Sequence, residues 1–217
     1  MLQTSGYILA GGRSSRMGRD KALLSLAGRP LIEHAVTKLR SICADVRILS
    51  ADSALAAFAP IVPDSHSNCG PIGGIEAALT HITRDWNLFL PVDTPFLPAA
   101  LLTQWTHDVL DIANPPAPSI HIFATDDRPQ PGVALIHRAV RSLITRAIQR
   151  NELSLLAAFE AAGREAHCDF IQSQPPWDTL AAVLPPAQLA ARHLWFHNLN
   201  TPEDMALAEA NLAALDT

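Results

Sequence analysis

The chain has 217 residues, of which 48% are hydrophobic and 17% charged, and its formal net charge is −5. This length and composition predict a single globular domain over residues 1–217, and the acidic balance argues against a broad nucleic-acid-binding surface. No apolar run reaches the roughly 18 residues that cross a bilayer, the start has no signal-peptide pattern, and three widely spaced cysteines fit a reducing cytoplasm. We therefore expect a cytoplasmic protein that binds neither membranes nor nucleic acid.

Short apolar runs alternate with longer segments of helical periodicity. Runs such as FLPVD are apolar throughout, which is typical of strands covered on both faces of a sheet. The alternation predicts a mostly parallel sheet in a three-layer α/β/α fold. Strands are predicted at 6–10, 46–50, 61–62, 88–92, 120–124, 133–136 and 194–198, and helices at 30–42, 53–58, 72–83, 98–110, 138–149, 154–162 and 202–215.

Residues 172–193 fit this alternation poorly and contain two Pro-Pro pairs. We expect them to form a surface excursion with one helix at about 186–192.

The first glycine-rich loop, LAGGRSSRMGRDK at 9–21, directly follows the first predicted strand. It matches neither a Walker A loop nor the GxGxxG fingerprint. Gly11 and Gly12 lack a Cβ atom, so their backbone N–H groups can approach phosphate oxygens closely, and Arg16 and Lys21 would add charge-assisted contacts. The alternative is a surface turn rich in solvated charge.

The second loop, PDSHSNCGPIGGI at 63–75, carries Asp64 and Gly70 before a predicted helix. Six of the ten glycines fall in residues 11–18 and 70–74, so close backbone approach is concentrated in two loops. A loop that leads into a helix N-terminus suits a base edge, a ribose or a phosphate. The alternative is a plain strand–helix turn with a Pro-Gly breaker.

A third motif, LPVDTPFL at 90–97, places Asp93 at the end of a buried strand. Mg²⁺ that bridges phosphates takes only one or two protein carboxylates, so Asp93 is a candidate metal ligand. Alternatively, Asp93 or Thr94 serves only as a helix N-cap.

The fourth motif, FHNLNTPED at 196–204, has asparagines at 198 and 200. In an extended chain Asn198 and Asn200 point the same way, and they could complete a metal or phosphate site. The alternative is a cap on the last helix, made together with Thr201 and Glu203.

These four motifs, in this order and spacing, resemble those of the molybdenum cofactor guanylyltransferase family. The resemblance covers about residues 7–98 and 196–204. It implies a Rossmann-like nucleotidyltransferase fold with a mostly parallel, mixed sheet. It also implies transfer of GMP from GTP to the phosphate of molybdenum-molybdopterin, with Mg²⁺, to give the guanine dinucleotide cofactor and pyrophosphate.

The resemblance also implies roles for the matched residues. Arg16, Lys21 and Asp93 would be catalytic, with Asp93 binding Mg²⁺, and Asn198 and Asn200 would lie by the active site. The nucleotide would contact Leu9, Ala10, Gly11, Gly12, Lys21, Ser50, Asp64, Gly70 and Asp93.

The chain departs from the family in three places. It has Ser50 where the family often has an asparagine in the nucleotide site, residues 172–193 form a longer connection, and 126–131 match only loosely. A cytidylyltransferase on the same pterin, or a sugar- or polyol-phosphate nucleotidyltransferase, is the alternative within the fold. A non-catalytic protein that carries the cofactor is the alternative from another class. Transient contacts with molybdopterin-supplying proteins or molybdoenzymes are also expected.

Overall fold

The computed structural model describes residues 2–11, 21–64, 69–81, 84–112, 118–125, 128–165 and 168–216. The predictions for Gly12, Arg16 and residues 126–127 lie outside these ranges.

The strands are β1 (Leu2–Leu9), β2 (Ser25–Leu26), β3 (Arg29–Pro30), β4 (Cys43–Leu49), β5 (Ile61–Val62), β6 (Trp86–Pro91), β7 (Ser119–Thr125), β8 (Arg128–His137) and β9 (Asp169–Ser173). The α-helices are α1 (Leu31–Ile42), α2 (Pro71–His81), α3 (Ala99–Ile112), α4 (Arg141–Gln149), α5 (Leu155–Gly163), α6 (Trp177–Val183), α7 (Pro186–Ala190) and α8 (Pro202–Glu209).

Seven of the described strands form one sheet in the order β5-β4-β1-β6-β8-β7-β9. Only β8 runs antiparallel to its neighbours β6 and β7 in this described sheet; the other pairs are parallel. The mostly parallel, mixed sheet predicted from the sequence is therefore confirmed. The short strands β2 and β3 form a separate antiparallel hairpin.

Helices cover both faces of this sheet. Apolar residues of α1 and α3 pack on one face, together with those of the C-terminal helices. Apolar residues of α2, α4 and α5 pack on the other face. The three-layer α/β/α architecture is thus confirmed. In the described ranges, no helix combines the length and the apolar character needed to cross a membrane.

Four parallel strands end in one row across the sheet. Leu9 at the end of β1 is in register with Leu49 of β4 and Pro91 of β6, and Leu49 is in register with Val62 of β5. The segments that follow β1, β4, β5 and β6 therefore begin side by side at the carboxyl edge, where ligands bind in open α/β sheets.

The structure corrects the prediction for the C-terminal third. The strand predicted at 194–198 is wrong: residues 192–194 form a 3₁₀ helix, and buried Leu194 and Trp195 pack into the core instead of pairing in the sheet. The last parallel strand is β9, which the sequence did not predict. Residues 172–193 are not only a surface excursion, because Leu180 and Leu184 are buried in the core. The helix predicted at 202–215 ends at Glu209.

Candidate functional site

Three residues from distant parts of the chain meet at the carboxyl edge of β1 and β6. The ammonium group of Lys21 donates to the carboxylate of Asp93 and to the amide oxygen of Asn200, the latter at 2.7 Å. Only 17% of the Lys21 side chain and 15% of the Asp93 side chain are exposed. A cation, an anion and an amide are thus held together in a site that is partly shielded from water.

Lys21 is fixed by the segment that follows it. It begins a 3₁₀ helix, Lys21–Leu23, and its carbonyl accepts the N–H of Leu24 at 3.2 Å. The hairpin of β2 and β3 turns at Ala27 and Gly28, both with positive φ, as two-residue hairpin loops require. The ring of His34 on α1 hydrogen-bonds the carbonyl of Leu26 at 2.9 Å. This hairpin therefore anchors the lysine to α1.

Asp93 lies two residues beyond the end of β6. Its carbonyl accepts the N–H of Leu199 at 3.0 Å, and the N–H of Val92 donates to Leu9 at 3.2 Å. The alternative in which Asp93 caps a helix is wrong, because α3 begins at Ala99 and the amide of Ala99 is bound by Asp216. The carboxylate of Asp93 is instead directed to Lys21.

Asn200 is held by the start of α8. Thr201 and Asp204 form a capping box, in which each side chain accepts the backbone N–H of the other residue. The carboxylate of Asp204 also accepts the N–H of Asn200 at 2.8 Å. The side chain of Asn200 donates to the carbonyl of Asn198 at 3.3 Å. Asn198 therefore contributes its backbone to this arrangement.

The carboxylate of Asp204 bonds a third residue, because the ring nitrogen Nε2 of His197 lies 2.7 Å from it. Burial alone would raise the pKa of Asp204, but the hydrogen bonds from Asn200, His197 and Thr201 lower it to about 2. Sequence reasoning missed Asp204 and assigned the acidic cap to Glu203. The spacing T-x-x-D was the signal for Asp204.

A second cluster lies at the ends of β1, β4 and β5. Ala10 donates its N–H to the carbonyl of Leu49 at 3.2 Å. Gly11, the next residue, lies beside the same carbonyl, which would be in ordinary contact with a Cβ atom at this position, at 3.5 Å. Ser50 is buried, and its hydroxyl accepts the N–H of Asp52 at 3.1 Å. The predicted nucleotide contacts Leu9, Ala10, Gly11 and Ser50 thus share one edge.

Asp64 approaches the first turn of α2. A Cβ atom on Gly74 would lie 3.0 Å from its carboxylate, so glycine at this position makes room for the aspartate. Much of Asp64 is open to solvent, yet the surrounding protein removes enough water to raise its pKa. Gly70, just before α2, has a φ of +65°, which disfavours residues with a side chain.

Asp93 fits one kind of metal site. Within the residues that the structure describes, no three His, Cys, Asp or Glu side chains come together as a cation cage. A single carboxylate suits Mg²⁺ that takes its other ligands from phosphate oxygens and water. The donor set therefore fits a Mg²⁺ ion that arrives with a polyphosphate.

A Rossmann-like sheet with a lysine and an aspartate at its carboxyl edge suits a nucleotidyltransferase, which must hold a triphosphate and its metal. The family model of the MobA-like NTP transferase domain matches residues 6–167. The chain belongs to the family of MobA-like NTP transferases.

Named relatives align along nearly the whole chain. The molybdenum cofactor guanylyltransferase of Serratia proteamaculans is 32% identical over 210 residues, which is 93% of this chain and 92% of that protein. The enzyme of the same name from Vibrio cholerae is 30% identical over 208 residues, covering 94% of this chain and 90% of that protein.

A solved structure supports the same fold. The crystal structure of molybdopterin-guanine dinucleotide biosynthesis protein A from Archaeoglobus fulgidus has a TM-score of 0.75 and 22% identity, and it covers 98% of this chain and 100% of that one.

Proposed function

We propose that this protein transfers the guanylyl group of GTP to the phosphate of molybdenum-molybdopterin, releasing pyrophosphate. The observation that carries the proposal is the meeting of Lys21, Asp93 and Asn200 at the strand ends. This arrangement suits a triphosphate, because it offers a cation and a carboxylate that can hold Mg²⁺. The choice of guanine and of the pterin acceptor comes from the names of relatives that align over more than 90% of the chain.

In this reaction a phosphate oxygen of the acceptor attacks the α-phosphorus of GTP. The bond from that phosphorus to the bridging oxygen breaks, and pyrophosphate carries away the electron pair. The attacking phosphate is already ionised at neutral pH, so no general base is needed. The protein therefore acts by positioning the two phosphates in line and by offsetting their charge.

Each predicted site residue has a role in this scheme. Lys21 and Arg16 offset the charge of the leaving pyrophosphate, and the backbone amides of Gly11 and Gly12 orient the phosphates. Asp93 would hold Mg²⁺, which when bound would supply positive charge beside the phosphate oxygens. Asn198 and Asn200 complete this end of the site. The remaining residues proposed to contact the nucleotide are Leu9, Ala10, Ser50, Asp64 and Gly70.

The pairing of Lys21 with Asp93 has a consequence for binding. In this structure the carboxylate of Asp93 neutralises the lysine. The phosphates of a bound triphosphate would replace Asp93 as the partner of Lys21, and the carboxylate of Asp93 would then be available to hold Mg²⁺. We infer that nucleotide and metal bind with positive coupling.

The test is a nucleotide panel. Unfolding temperatures are measured with GTP, CTP, UTP and ATP, each with and without Mg²⁺, because a ligand that binds only the folded protein raises the unfolding temperature. A selective rise with GTP and Mg²⁺ supports the proposal. Pyrophosphate release and the mass of the product with molybdenum-molybdopterin then identify the reaction.

Other outcomes of the panel would contradict the proposal. A selective response to CTP would favour a cytidylyltransferase, and turnover of a sugar or polyol phosphate would replace the pterin as acceptor. Binding of GTP with no pyrophosphate release would favour a carrier protein.

A further inference from the structure

A buried lysine on α1 lies behind the turn that carries Asp93. Lys38 is 5% exposed, and its ammonium group donates to the carbonyl oxygen of Pro95 at 2.8 Å and to that of Leu97. Its third partner is the carboxylate of Asp216, at 3.1 Å. An ammonium group has three donors, so all three are used, and two of them bind the turn directly after Asp93.

Asp216 links this lysine to the C-terminal end of the described chain. Its carboxylate also accepts the backbone N–H of Ala99, the first residue of α3, and the side-chain amide of Gln188 at 3.1 Å. Burial lowers the pKa of Lys38, whereas Asp216 opposes that shift. Asp216 therefore supplies the opposite charge that favours the ammonium form of Lys38 in the protein interior.

Both ends of the Asp93 turn are thus attached. At its first residue, the carbonyl of Asp93 accepts the N–H of Leu199 at 3.0 Å. Farther along, the carbonyls of residues 95 and 97 accept hydrogen bonds from Lys38. A turn with Pro95 and Pro98 in it has few N–H groups of its own for further backbone bonds. The turn's own bonds run from the N–H of Leu97 to the carbonyl of Thr94 and from the hydroxyl of Thr94 to the carbonyl of Pro91. Lys38 adds two more, at residues 95 and 97.

We propose that Lys38 is a positioning residue for Asp93: it fixes the turn so that the carboxylate meets Mg²⁺ and the nucleotide in the productive place. This proposal rests on the proposed function for its kinetic consequence, but its structural consequence can be measured in the unliganded protein. It also assigns different effects to the two members of the Lys38–Asp216 ion pair. Loss of Lys38 loosens the turn, whereas loss of the Asp216 charge weakens the fold and leaves the turn in place.

The variants K38M and D216N separate these effects. Methionine keeps the length and apolar packing of the lysine stem but cannot donate to the two carbonyls. Asparagine at 216 keeps an oxygen for the amide of Ala99 and leaves Lys38 bound to the turn. A cavity of about 250 Å³ borders Lys38, and its lining includes the polar side chains of Ser41, Gln188 and Asp216, which can hold water. The carbonyls freed in K38M can therefore be hydrated without unfolding the chain.

Two measurements are made on each full-length variant. Hydrogen exchange of the amides of residues 93, 94, 96, 97 and 199 reports on the turn without any ligand. The Mg²⁺ concentration at half-maximal pyrophosphate release reports on the metal site. In K38M we expect faster exchange at these amides and a Mg²⁺ requirement raised about 10- to 100-fold. In D216N we expect a lower unfolding temperature with wild-type exchange at these amides and a wild-type Mg²⁺ requirement.

If K38M exchanges like the wild type and needs no additional Mg²⁺, the proposal is wrong. It is also wrong if D216N raises the Mg²⁺ requirement as much as K38M, because lost stability would then explain both. If K38M does not fold, K38M/D216N takes its place with the same expectations, since it does not leave the partly shielded carboxylate of Asp216 without its cation. If the wild type releases no pyrophosphate from GTP, the proposed function fails, and the exchange measurement still decides the role of Lys38.

Discussion

Lys21 and Asp93 form an ion pair across 72 positions of sequence. Both side chains are mostly shielded from solvent, and the pair lies where β1 and β6 end. An ion pair at this place holds a cation ready for phosphate and a carboxylate ready for metal. In the proposed function, Lys21 therefore binds the phosphates of the nucleotide, and Asp93 binds the metal ion that accompanies them.

We expect K21A and D93N each to lower turnover by about 100- to 1,000-fold, as does the loss of a group that stabilises transition-state charge. The two variants should differ in their metal dependence. D93N should need more Mg²⁺ for half-maximal rate, whereas K21A should not, because the carboxylate is still present. Pyrophosphate release measured over a range of Mg²⁺ concentrations checks both expectations.

The matched control is R138M, which breaks an exposed ion pair between Arg138 and Asp85. It should leave both turnover and Mg²⁺ dependence unchanged. Near-normal rates in K21A or D93N would show that the role given to that residue is wrong.

The hydrogen bond from Lys21 to Asn200 predicts a smaller effect. N200A removes an acceptor that orients the ammonium group, and one such bond contributes about 1 kcal/mol, which corresponds to a several-fold change in affinity. We expect KM for GTP to rise several-fold while kcat changes less. Steady-state kinetics with varied GTP test this, and an unchanged KM would remove Asn200 from the nucleotide site.

The motif residues illustrate how much of the site the sequence could predict. The resemblance to family motifs predicts three site residues, Lys21, Asp93 and Asn200. The structure brings these three together. Asp93 pairs with Lys21 instead of capping a helix, and this outcome depends on tertiary packing. Neither periodicity nor capping propensity contains that information.

The same limit explains the errors in the fold. β9 reads DFIQS and is a half-exposed edge strand, so it has no continuous apolar run to reveal it. The run around Leu194 and Trp195 looks like a buried strand, but its side chains enter the core from a 3₁₀ helix and a turn. A short apolar run shows that residues are buried and leaves their backbone conformation open.

The close approach of Gly74 to Asp64 predicts a change in binding with little change in stability. In G74A the new methyl group would meet the Asp64 carboxylate at 3.0 Å, so the aspartate must shift by a few tenths of an ångström. We expect weaker GTP binding by calorimetry and an unfolding temperature close to that of the wild type, because the moving group is a flexible side chain and alanine favours the helix.

A double-mutant cycle tests the cause of this change. If G74A acts through the aspartate, it should have no further effect on GTP affinity in a D64A background. An equal loss of affinity in both backgrounds would mean that the methyl group acts on the ligand or on Leu49 instead.

The capping carboxylate of Asp204 predicts how stability depends on pH. Hydrogen bonding in the folded state lowers the pKa of Asp204 from its ordinary value of 3.8 to about 2, so folding favours the charged form. The resulting stabilisation is fully present above pH 3.8 and is lost as the pH falls through about 2. D204N lacks this titration. The difference in unfolding temperature between the wild type and D204N should therefore be constant near neutrality and should shrink across this acidic interval.

E203Q is the matched control, because Glu203 is exposed and takes no part in the capping box. A wild-type advantage over D204N that stays constant down to about pH 2 would contradict the bonding assigned to Asp204. Because the same carboxylate binds the amide of Asn200, D204N should also raise KM for GTP in the same direction as N200A.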